Sequence, residues 1–134
     1  MSKTQGELTE LRFYLIAYSR GWIISKPFGD NAKYDFVVDV GGKLSRIQVK
    51  STSIMDHTNR QDRYAVLAAS GNKVKKVYTK NEIDFLAMYI IPEDVWYIIP
   101  VEKLDGRMKL HFRPFDSASK GKHESFKMAW DLLE

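Results

Sequence analysis

The sequence predicts an α/β fold: one domain spanning 1–134, with a mixed β-sheet flanked by helices. Three observations lead there. The elements run in the order helix, mostly strands, helix, an order that packs in layers around a sheet. The pair Gly41-Gly42 sits between two stretches of alternating apolar and polar residues, which marks a tight hairpin. The length of 134 residues, 44% hydrophobic and 13% aromatic, suits one domain with a sizeable core and leaves no long segment of disordered composition.

The first helix is expected over 5–19. Thr4 and Glu7 have capping-box spacing, in which the hydroxyl accepts from a first-turn amide and the carboxylate reaches back. Leu8, Leu11, Leu15 and Tyr18 recur at helical spacing as its apolar stripe, and Gly21 follows as the residue that ends it. A short strand is expected over 22–25. Residues 26–33 read as a loop punctuated by Pro27, Gly29, Asp30 and Asn31. The hairpin strands are 34–40 and 44–52. Residues 54–62 read as a polar, mobile stretch, and 64–68, 76–78, 85–91 and 95–100 as further strands. A closing helix is expected over 125–133, with Phe126, Ala129, Trp130 and Leu133 on one face.

Composition excludes several function classes. The chain has no cysteine, which removes disulfide frameworks, thiolate zinc sites and cysteine nucleophiles. The three histidines (His57, His111 and His123) are scattered without metal-ligand spacing and read as surface or loop residues. The opening MSKTQGELTE lacks an apolar signal core, and no apolar run approaches the about 20 residues of a membrane span. The expectation is a cytoplasmic protein with no membrane partner. The net charge of +4 favours polyanionic partners.

The hairpin brings chemistry together. With Gly41 and Gly42 at the turn, Val40 faces Lys43 and the pairing runs back until Asp35 faces Gln48. Directly opposed residues share a face, with Cβ atoms about 4.5–5.5 Å apart. Lys50, two residues beyond Gln48, joins that face. The opposite face carries Phe36, Val38, Val40, Ile47 and Val49, so a slip by one residue would bury the polar groups and expose the valines. Alternation alone favours a solvated outer face over a site.

The residues carry a resemblance. Asp35, followed thirteen residues later by Gln48-Val49-Lys50, resembles the core motif of the PD-(D/E)XK nucleases in a Gln-x-Lys variant. Gly6…Glu10, Pro27-Phe28-Gly29-Asp30 and Tyr34-Asp35 extend the likeness, which is closest to the group I intron homing endonuclease branch. It is clearest over 6–52 and continues more weakly through residues 83–87 and 96–100. The resemblance implies a restriction-endonuclease-like fold. It also implies a metal-dependent endonuclease that hydrolyses double-stranded DNA at specific sites, as a homodimer or homotetramer. Gln48 stands where the family usually has an acid, which removes a negative ligand.

On that reading Glu10, Asp35, Gln48 and Lys50 are catalytic. Mg²⁺, with Mn²⁺ as a substitute, would be held by Asp35, the Gln48 side-chain carbonyl, the Val49 backbone carbonyl and Glu10, since this ion prefers oxygen ligands. Lys50 would hold the attacking water or stabilise charge on the phosphate. Glu7 is the rival for the helix carboxylate. Glu10 is preferred because Phe13, Tyr14 and Ala17 give it apolar neighbours and because the Gly-x-x-x-Glu pattern selects it. Lys73, Lys75, Lys76, Arg60, Arg63 and Ser51 are candidate DNA contacts, of the kind that position a protein on phosphates without reading bases. Two further readings stay open. One is a structure-specific nuclease of the Holliday-junction resolvase kind. The other is a non-catalytic DNA-binding or assembly module that keeps the fold, which Gln48 permits.

Overall fold

The computed structural model describes residues 2–57, 62–71, 74–115 and 121–134. One helix, α1 (Lys3–Ser19), precedes ten strands: β1 (Ile23–Ser25), β2 (Phe36–Val40), β3 (Lys43–Thr52), β4 (Met55–Asp56), β5 (Arg63–Leu67), β6 (Ala69–Ser70), β7 (Lys76–Val77), β8 (Phe85–Ile90), β9 (Val95–Pro100) and β10 (Lys109–Phe112). The main sheet has the order β1-β2-β3-β8-β9. β3 and β8 run parallel and the other neighbours antiparallel, so the sheet is mixed as expected. A smaller sheet, β10-β5-β4, and a ribbon, β6-β7, complete the strands.

The hairpin forms in the expected register, with Val40 opposite Lys43 and Phe36 opposite Ile47. Gly41 and Gly42 both have positive φ, 60° and 92°, a conformation that glycine adopts without strain. Asp39 braces this turn by accepting from the Gly42 N–H at 2.9 Å.

The sheet separates two cores. On one face Phe36, Val38, Ile47 and Val49 meet Phe13 and Ala17 of α1, together with Trp96, Trp130 and Leu133. Phe13 stacks on Phe36 at 5.6 Å and lies 5.8 Å from the Trp96 ring. On the other face Leu86, Met88, Tyr97 and Ile99 pack against Tyr64, Val66, Leu110 and Phe112 of the small sheet. The small sheet and the ribbon reach the polar face of the hairpin at its Lys50–Thr52 end, where Thr52 donates to the Ala65 carbonyl, whereas Leu44 beside the turn is 64% exposed.

Several local expectations need correction. The α1 cap is Ser2, whose hydroxyl accepts from the Gln5 N–H at 3.0 Å; Thr4 lies inside the helix, so the Thr4–Glu7 capping box does not form. The packed stripe of α1 is Thr9, Phe13 and Ala17. Leu11 and Leu15 are instead 64% and 67% exposed, and Leu8 and Tyr18 are also exposed. Both stripes have helical spacing, and periodicity does not say which one the sheet receives. The closing segment forms two short 3₁₀ turns, Glu124–Phe126 and Trp130–Leu133, rather than one helix. β4 falls in the stretch read as a mobile loop, and β10 was not foreseen. His123 is 3% exposed, not a surface residue, and His111 is half-buried.

Candidate active site

Asp35 directly precedes β2, and its N–H donates at 2.8 Å to the Ile47 carbonyl, on the residue already paired with Phe36, so the regular pairing ends before Asp35 and the expected Asp35–Gln48 pair is not part of the ladder. Gln48 and Lys50 lie two positions apart on β3 and share a face. The Asp35 carboxylate accepts from the Val49 N–H at 2.8 Å. Such a bond pulls a carboxyl pKa down, yet burial outweighs it and, with the nearby Glu10 charge, pushes Asp35 up to about 6. Gln48 is half-buried and its amide lies 3.4 Å from the Val49 carbonyl.

Lys50 is held between the sheets. Its Nζ lies 3.4 Å from the Ala69 carbonyl, a long contact, and 5.9 Å from the centre of the Tyr78 ring. Burial lowers its pKa from the ordinary lysine value; the Asp35 charge opposes that shift and the Lys75 charge adds to it. A half-buried carboxyl with its pKa raised and a half-buried amine with its pKa lowered, on neighbouring strands, mark a place where the fold holds charge against solvation.

Glu10 reaches the site from α1. Its Oε1 accepts from Lys26 Nζ at 2.8 Å, and Lys26 also lies 4.8 Å above the Phe36 ring. Glu10 and Glu7 both line a groove of about 460 Å³ with Leu11, Tyr14, Lys26 and Phe36. Only Glu10 is half-buried; Glu7 is exposed. Among the described residues no three His, Cys, Asp or Glu side chains gather as a metal cluster. The oxygens on offer are mixed: the carboxylates of Asp35 and Glu10, the Gln48 amide oxygen and the Val49 carbonyl. That set suits a hard divalent cation, and Asp35, half-buried with its pKa raised, is a group that a cation would stabilise.

The remaining candidates scatter. Ser51 is 5% exposed and accepts from Gln5 Nε2 at 3.1 Å, so it joins β3 to α1 rather than facing a ligand. Lys75 and Lys76 are exposed, and Lys75 Nζ donates to the Gly71 carbonyl. Arg63 is half-buried on the small sheet, 3.8 Å from Asp56. Arg60 and Lys73 lie outside the described residues. Three contributors were not anticipated: Lys26 on Glu10, Tyr78 against Lys50, and Gln5 on Ser51. Each bridges elements distant in sequence, and no local pattern announces such a contact.

The family model of PD-(D/E)XK endonucleases matches residues 1–132. The chain belongs to that nuclease family. Among solved structures it is similar to the bacterial homing endonuclease I-Ssp6803I, with 26% identity and a TM-score of 0.82 over 98% of this chain and 92% of that one. A second structure, MepB, aligns with a TM-score of 0.46 and 12% identity over 99% of this chain and 93% of that one. No curated protein sequence matches. The family and the fold confirm the restriction-endonuclease-like architecture of this nuclease. No helix among its described residues is long and apolar enough to cross a membrane.

Proposed function

We propose that this chain is a divalent-metal-dependent endonuclease that hydrolyses double-stranded DNA at specific sites. The single observation that carries the reading is the placing of a half-buried Asp35, bonded to the Val49 N–H, beside a half-buried Lys50 on the neighbouring strand. Asp35 and Gln48, with the Val49 carbonyl and Glu10, would hold Mg²⁺ or Mn²⁺. The bound ion supplies a lowered pKa for water and neutralises charge on the phosphate. Lys50 orients the attacking water or meets the developing charge, and its partial desolvation strengthens that contact. Lys26 Nζ donates to Glu10 Oε1 at 2.8 Å and positions this carboxylate. Likeness to a homing endonuclease supports sequence specificity. The test is cleavage of plasmid and linear duplex with Mg²⁺ and with chelator, alongside four-way junctions. Metal-dependent cutting of duplex is expected. Cutting confined to junctions would replace site specificity with structure specificity. Gln48 favours one rival, a DNA-binding module without catalysis, and duplex binding with no cutting in Mg²⁺ or Mn²⁺ would establish it.

The proposed enzyme works as a homodimer or homotetramer. Leu8, Leu11, Leu15 and Tyr18 form an exposed apolar stripe along α1, and a chain of this size covers only a short stretch of duplex. A second copy of this chain is the partner that supplies two cutting sites for two strands. The double variant Leu11→Ser, Leu15→Ser should sediment as the 15.5 kDa monomer while keeping its fold, since both side chains are exposed. A wild-type chain that is itself monomeric at micromolar concentration would remove this assignment.

A further inference from the structure

The outward face of the small sheet carries a second, strongly basic cavity. β5 and β10 pair so that Ala65 faces His111 and Leu67 faces Lys109, and the register continues to set Arg63 opposite Arg113. Tyr64, Val66, Leu110 and Phe112 point into the core, so Arg63, Lys109, His111 and Arg113 point the other way. Arg107, Lys122 and His123 close the edge, leaving a cavity of about 220 Å³. It shares no lining residue with the Asp35–Lys50 site, which lies on the inner side of this sheet.

The charge around it is unbalanced. Among the described residues, five Arg and Lys side chains line the cavity with one acid, Glu124. Glu124 is already engaged, accepting from the Tyr97 hydroxyl at 2.8 Å and the Arg113 N–H at 3.3 Å. Asp105 pairs with Lys122 at 2.7 Å. Asp56 sits at the rim, 3.8 Å from Arg63 Nε and 3.3 Å from His111 Nε2. Both nitrogens are buried and share this one carboxylate. Nδ1 of His123, whose side chain is almost fully buried, has no hydrogen-bond partner among the described residues. Buried polar nitrogens normally find partners, and this one lines the cavity without one. Burial first, then the charges of Lys122 and Arg107, hold the His123 imidazole below its ordinary pKa, which reports the positive field there.

We infer that this cavity binds a phosphate group, separate from the one that would react at Asp35. A tetrahedral anion presents several acceptors to donors arriving from different strands, and Arg and Lys supply the charge. A volume of about 220 Å³ suits a phosphate with its waters rather than a large organic ligand. The group is either a duplex backbone phosphate beyond the cut site or a free phosphate or small phosphoester. Only the first source depends on the nuclease reading.

The test is titration of the full chain with inorganic phosphate, followed by the imidazole NMR signals of His111 and His123. It is repeated on the double variant Arg107→Gln, Lys109→Gln, whose two positions are exposed. Saturable shifts are expected in the wild-type chain, weakened by about tenfold or more in the double variant. They should persist in Asp35→Asn, which separates this site from the catalytic proposal. Displacement of phosphate by added duplex identifies the backbone as the source; retention identifies a free phosphate. No saturable shift, or equal binding in wild type and double variant, would overturn the inference.

Discussion

Replacing Asp35 with Asn is expected to abolish cleavage while making the metal-free protein more stable. The introduced amide keeps an oxygen for the Val49 N–H, so the hairpin register survives. It loses the charge that the cation would require, and cutting should fall by about three orders of magnitude or more. The stability gain follows from the sign of the shift. A carboxyl near 3.8 in the unfolded chain and about 6 in the folded one favours folding while protonated. That contribution is complete below about pH 4, fades as pH rises through 6 and is absent above it, at a cost on the order of 2–3 kcal/mol. Asp84 acts in the opposite sense in a lower window. Its burial raises the pKa, but the side-chain and backbone bonds from Arg46 outweigh this and hold it at about 2. Its contribution is therefore lost only as pH falls from about 4 towards 2, outside the Asp35 range. Denaturation in chelator at pH 4.5 and 7.5 checks the claim. The wild-type deficit against Asp35→Asn should appear at the higher pH and shrink on adding Mg²⁺. An Asn variant that cuts normally, or gains nothing at pH 7.5, removes Asp35 from its role.

The second large effect is expected at Lys50. Lys50→Met keeps the buried stem against Tyr78 and removes a charge that burial already disfavours, so folding should be preserved. Cleavage should nonetheless fall by about 10²–10³, the usual loss when one charge-stabilising donor is removed. Lys50→Arg should not restore it, since a planar guanidinium does not fit where a compact ammonium stood and holds no neutral form near neutral pH. Single-turnover rates, with duplex affinity measured in parallel, separate chemistry from binding. Lowered affinity at an unchanged rate would make Lys50 a phosphate anchor instead.

The hairpin was legible because its determinants are local. Two glycines at the turn and alternating valines leave one register that buries the apolar face, and Gln48 and Lys50 follow from it. The face of α1 was not legible, because the helix carries two apolar stripes and only contact with Phe36 and Trp96 shows that Phe13 is the inward residue. β10 is not legible in the sequence, because four residues with alternating polar members look like a loop until β5 pairs with them.

Short-range pattern and spacing carry the mixed α/β class, the hairpin register and the likeness to a nuclease family. The electrostatic state of the site arises only once the layers pack together. Tyr78 against Lys50 and the strands over that end of the hairpin come from positions distant along the chain, and burial there moves Asp35 and Lys50 away from their ordinary pKa values. The basic cavity has the same origin, since β5, β10 and the segment around His123 form it only when folded together. Burial is a property of the assembled layers, and it turns a polar strand face into a site that binds charge.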